Sequence, residues 1–171
     1  MTPDPALWPA LAAAGLGAIL DVKDRRLPNW LCAVVAAAAA GGLVWSEGLG
    51  ALPWALLHAA IALLVGMILF RLGAIGGGDA KFYAAAACAI PLSGALFFLG
   101  WTSAAGFFLL LVMAIARRLR RTSPDAPILR GWSVPYGVAI FAGFGLALLV
   151  GNPFEPTRYA PIALGTPGTP L

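Results

Sequence analysis

Six apolar stretches run along this chain, separated by short polar or glycine-rich segments. They are Leu7 to Val22, Trp30 to Trp45, Leu52 to Phe70, Asp79 to Ile90, Ala95 to Ala116 and Val134 to Val150. A spanning helix needs about 20 apolar residues at 1.5 Å each. The fourth stretch is short by that measure. The pattern predicts an all-α, polytopic membrane protein of about six transmembrane helices. Two segments break it. Leu72 to Gly78 (LGAIGGG) is too flexible for a regular helix. Such backbone is tolerated at membrane depth only where protein or a wet cavity satisfies it. Arg117 to Ser133 reads as a polar loop holding Pro124 and Pro127. Residues 1–151 form the membrane-embedded domain, and 152–171, with their Pro, Gly and Thr, an extended extracytoplasmic tail.

Composition agrees. The chain has 171 residues, 61% hydrophobic and 11% charged, where a soluble domain carries about 25% charged residues. The net charge of +4 would suit nucleic acid, but its distribution excludes that partner. Lys23, Arg25, Arg26, Arg71, Lys81, Arg117, Arg118, Arg120, Arg121 and Arg130 fall on one side when six helices alternate. That is ten of eleven basic residues. The positive-inside rule makes that side cytoplasmic and puts both termini outside. Trp8, Trp45 and Trp54 then mark the outer interface, and Trp30 and Trp132 the inner one, while Trp101 fits neither. No basic residue precedes the first apolar run, so it reads as a retained helix rather than a signal peptide. Cys32 and Cys88 form no CxxC pair and read as small buried hydrophobes. His58 reads as making a helix-packing hydrogen bond rather than serving as a ligand, and the Arg117 to Arg121 cluster as an orientation and anionic-lipid signal.

Two aspartates change the picture. Ionisable groups at membrane depth are expensive and survive mainly where they work or are paired. From Leu7 to Asp21 an ideal helix rises about 21 Å, which puts Asp21 near the cytoplasmic end of the first helix. Asp79 starts the fourth helix on the same side. Two carboxyls at close range can hold one proton between them, polarise a water and protonate a leaving group. Spacing alone leaves a second reading open: two ordinary helix-end carboxylates, each satisfied by a lysine or a backbone donor. Gly76, Gly77 and Gly78 permit close approach of a substrate or a neighbouring helix. They do not form a phosphate loop, because Lys81 follows Ala80 and precedes Phe82.

Asp21 to Asn29 reads DVKDRRLPN, and Gly76 to Lys81 reads GGGDAK. Both resemble the aspartate motifs of the type IV prepilin peptidases, GxGD aspartic proteases of the bacterial inner membrane. Asp21 and Pro28 keep the family spacing, seven residues apart, ahead of Asn29. Val134-Pro135-Tyr136-Gly137 is similar to a Pro-Tyr-Gly segment that opens the family's last helix. The resemblance covers nearly the whole chain up to about Val150. Larger members carry an N-terminal cytoplasmic insert, often with zinc-binding cysteine pairs and linked to N-methylation. Here only Lys23 to Asn29 separates the first two helices, which resembles the short Flp-type, tight-adherence enzymes.

The resemblance implies Asp21 and Asp79 as the catalytic dyad. Gly76, Gly77, Gly78, Lys81, Pro28, Asn29, Pro135, Tyr136 and Gly137 are then substrate-binding or dyad-supporting. Asp24, one turn from Asp21, reads as a solvated carboxylate. Lys81 has two readings: a partner of the dyad or of an acidic substrate group, or an interface anchor. The implied activity is endoproteolysis at the cytoplasmic membrane face, removing the basic leader of a prepilin or pseudopilin after a glycine. No metal or organic cofactor is required. The expected partners are the substrate's apolar helix and membrane lipid, with no nucleic acid. Two other classes compete: a small proton- or ion-coupled transporter using the carboxylates as a relay, and a non-catalytic subunit of a pilus or secretion platform. No inverted repeat supports the transporter.

Overall fold

Prolines and glycines set the helix ends. The computed structural model describes residues 4–120 and 135–150. Among them lie six α-helices: α1 (Trp8–Asp24), α2 (Asn29–Glu47), α3 (Leu52–Arg71), α4 (Gly77–Ala87), α5 (Ala95–Arg120) and α6 (Tyr136–Val150). Pro9 and Pro53 stand in the first turns of α1 and α3, where a missing N–H costs nothing. Gly48, at φ 83°, ends α2 with its N–H on the Val44 carbonyl at 2.9 Å. Gly73, at φ 74°, ends α3. Its N–H meets the Phe70 carbonyl, and that of Ala74 meets Leu69, both at 2.9 Å. This pair of bonds is a Schellman motif, which needs a left-handed residue at that place.

The segments Pro5–Asp24, Asn29–Glu47, Leu49–Arg71 and Leu92–Ala116 are long and apolar enough to cross a membrane, and Tyr136–Val150 is a shorter apolar helix. The chain is an all-α, polytopic membrane protein. The short α4 is its centre, packed against α2, α3 and α6. Residues 84–90 are buried without interruption, as expected of a helix apolar all round. Helix α1 lies against α2 and α6, and α5 against α6. By contrast, α5 exposes Leu96, Phe107, Phe108 and Ile115, which suits lipid rather than water as the solvent.

Close helix approach rests on small residues. A Cβ on Gly66 would lie 2.8 Å from the Ala80 Cβ, joining α3 to α4. One on Gly143 would lie 2.5 Å from the Thr102 Cα, joining α6 to α5. Gly17 faces the Phe82 ring in the same way, at 2.7 Å. With no hydrophobic drive between helices in lipid, such packing supplies the attraction.

Several boundaries differ from the sequence expectation. Helix α4 begins at Gly77, two residues before Asp79, with Gly76 as its extended N-cap. It ends at Ala87 rather than Ile90. Pro91 disfavours helical backbone at the residue before it, and Ala89 and Ile90 close with tighter bonds to Ala86 and Ala87. Helix α5 runs on to Arg120, so the polar segment starts later than Arg117. Arginines are good helix formers and suit a helix C-terminus. The remainder of that loop, with Arg121, Arg130, Trp132 and Val134, lies outside the described residues, as does the tail 152–171. Trp8, Trp30, Trp45 and Trp54 are exposed near helix ends. Trp101 packs edge-on against Phe97, with centroids 6.0 Å apart, so it serves packing instead of an interface.

Gly143→Val is expected to lower the unfolding free energy in mixed micelles by about 1–3 kcal/mol, through backbone overpacking at Thr102. Gly41, with nothing within 4 Å of its Cβ position, sets the contrast. Gly41→Ala should raise stability by about 0.5–1 kcal/mol. Denaturant titration of the two variants checks both signs.

Candidate active site

Asp21 lies in the last turn of α1. Arg25 adopts φ 52°, a left-handed conformation that a side chain disfavours, and its N–H closes the helix on the Asp21 carbonyl at 3.1 Å. The Asp21 side chain points inward and is 8% exposed, whereas Asp24 is exposed. A buried carboxylate needs donors. Gly137 supplies one, donating its amide N–H to Asp21 Oδ2 at 2.7 Å. This amide is in the first turn of α6, where N–H groups lack helical partners and the helix dipole favours an anion. A Cβ on Gly137 would stand 2.8 Å from that same oxygen, so only glycine allows the approach. Pro135 precedes the helix and accepts the Val138 N–H at 3.1 Å. Tyr136, between them, is exposed. The positive charge of Arg25 also acts on Asp21.

Asp79 is the third residue of α4, whose N-cap is Gly76. Its carboxylate hydrogen-bonds back to the Gly76 backbone, one half of a capping box. A Cβ on Gly76 would lie 2.6 Å from Asp79 Oδ2. Gly77 lies 3.4 Å from the Phe70 ring by the same construction, and Gly78 3.4 Å from the Leu27 Cβ. Of the three, Gly76 admits the carboxylate where a Cβ would not fit, while Gly77 and Gly78 make ordinary contact with the end of α3 and the loop that follows α1.

The two carboxylates come from different helices at one end of the bundle and interact electrostatically. Such a pair can hold one proton, one oxygen accepting while another donates. Pro28 is the N-cap of α2. Asn29 opens that helix and accepts a hydrogen bond from Lys81 Nζ at 3.0 Å. Lys81 thus joins the tails of both aspartate segments. His58 is remote: its Nδ1–H donates to the Ile90 carbonyl at 2.9 Å, and its ring stands edge-on to Tyr83 and Phe98. Cys32 and Cys88 are both buried free thiols. Among the described residues no cluster of His, Cys, Asp or Glu is arranged to hold a metal ion. Arg25, Leu27 and Phe70 were not legible as site residues. Their parts depend on a backbone angle and on contacts between helices, which linear spacing does not carry.

A family model described as the type IV leader peptidase family matches residues 8–115. The match takes in Asp21, the three glycines and Asp79, and stops before α6. No curated protein and no solved structure matches the chain.

Gly137→Ala should push the Asp21 carboxylate off its donor and lower unfolding free energy by about 1–3 kcal/mol, the effect of stranding a buried acceptor. In an Asp21→Ala background the same change should have well under half that effect. A double-mutant cycle of unfolding in micelles reads the difference.

Proposed function

We propose that this chain, which belongs to the type IV leader peptidase family, is an aspartic endopeptidase. Its substrates are prepilins or pseudopilins of the Flp-like kind, cut between a short basic leader and an apolar helix. The observation that carries this reading is the buried Asp21 carboxylate, held by the Gly137 amide at 2.7 Å and within electrostatic reach of Asp79 on another helix. Only four residues separate α1 from α2, which supports the short form without a methyltransferase insert. Lys23, Arg25, Arg26, Arg71 and Lys81 cluster at the carboxylate end of the bundle, which supports cleavage on the cytoplasmic side of a bacterial inner membrane.

The mechanism divides the labour between the two acids. Asp21, whose Oδ2 already accepts an amide N–H, serves as the base and takes a proton from water. Asp79 carries the shared proton and donates it to the scissile carbonyl oxygen as the hydroxide adds to carbon. The tetrahedral intermediate then collapses, Asp21 returns its proton to the leaving amine, and Asp79 recovers the other from the former carbonyl oxygen. The substrate's apolar helix lies among the spans, with its leader at the basic end.

Asp21→Asn and Asp79→Asn should each lower prepilin cleavage in membranes by roughly a thousandfold or more, and together no further, because residues acting as a unit are not additive. Full cleavage by either single variant removes the dyad. The rate in vesicles should be bell-shaped in pH. It should fall on the acid side as the base gains a proton, and on the alkaline side as the shared proton is lost. A profile flat across both limbs contradicts the shared proton.

A further inference from the structure

Asp79 and Lys81 are two residues apart on α4. At 100° per residue their side chains leave the helix about 200° apart. Asp79 interacts electrostatically with Asp21, while Lys81 reaches the start of α2 and donates to Asn29 Oδ1 at 3.0 Å across 52 residues of sequence. Its charge is felt as far as Cys32, one turn further along α2. Rotation of α4 about its axis cannot move one of these side chains without moving the other.

The chain before α4 is the Leu72–Gly76 turn, where Gly73 takes φ 74° and residues 72–74 and Gly76 are exposed. The contacts at this end are Gly77 on Phe70, Gly78 on Leu27, Ala80 against Gly66 and Phe82 against Gly17. All are apolar packing, to which a polar bond adds direction. A hydrogen bond has direction, and this one lies on the opposite side of α4 from the carboxylate.

We infer that Lys81 and Asn29 form a polar latch that adds to this packing, fixes the azimuth of α4 and so keeps Asp79 within electrostatic reach of Asp21. They are positioning residues, and Lys81 acts through the helix rather than on the substrate. The inference rests on the peptidase reading for its functional consequence but not for its structural one. The latch also ties the residue after Pro28 to the residue two beyond Asp79, so both aspartate segments keep one geometry.

Two measurements test it. In membranes, Asp21→Cys and Asp79→Cys on a Cys32→Ala, Cys88→Ala background are joined by a short bis-maleimide reagent. Adding Lys81→Met or Asn29→Leu should slow crosslinking by about tenfold or more, since misplacement of around 1 Å has effects of that order and above. The two together should slow it no further, and Asn29→Asp, which keeps an acceptor, should leave it fast. The native-aspartate enzyme is then assayed in phosphatidylethanolamine–phosphatidylglycerol vesicles, on a peptide with a lysine-rich leader, a glycine and an apolar helix. Lys81→Met should lower kcat about 10- to 100-fold with KM unchanged. Unchanged crosslinking in both single variants overturns the latch, as does a rise in KM alone, which marks direct substrate contact. If Asp21→Asn and Asp79→Asn still cleave while crosslinking depends on Lys81, the peptidase reading fails and the latch stands.

Discussion

A carboxylate buried at the end of one helix and bonded to the first free amide of another is the constraint on which this bundle turns. Burying Asp21 in an apolar assembly is unfavourable unless a donor meets it. The Gly137 amide does so at 2.7 Å, and the approach is open only because the residue has no Cβ. That one contact fixes how far α6 slides along α1. Helix α5 is then carried by α6 through the Gly143–Thr102 crossing, and α4 is enclosed between α6, α2 and α3.

Small residues make the rest of the assembly possible. Lipid is as apolar as the helices, so close contact rather than water exclusion holds them together. Alanines along α4 and glycines on α1, α3 and α6 let backbones approach, and Phe82, Phe98 and Phe144 fill what is left, each fully buried. Polar side chains enter this interior sparingly. His58 is satisfied by the Ile90 carbonyl at the far end of α4, leaving the near end to Asp79. The two ends of one short helix are thus treated differently: one sealed by a hydrogen bond and aromatic rings, the other left accessible.

Much of this was legible in the sequence, and the reasons are physical. Helix number, the burial of both cysteines and the packing role of His58 follow from apolar length and from the expense of polar groups in lipid. That Asp21 and Asp79 stand at one end follows from counting spans and residues. What spacing could not carry is contact. GGGDAK reads as a flexible prelude to a helix, yet Gly77 and Gly78 are already helical, in van der Waals contact with Phe70 and Leu27. Lys81 offered two readings by itself, and its bond to Asn29, 52 residues away, leaves no mark in the linear spacing. Arg25 carries no linear mark of its left-handed backbone.

The length of α4 has a consequence for the solvent. Eleven residues rise about 16 Å, roughly half of a 30 Å hydrocarbon slab. The missing half is not shared equally, because the Ile90 end is packed with protein and the Gly76 end is open. A span that short is met by local thinning of the bilayer, which would let a reactant that lipid excludes approach Asp79 from the Gly76 end.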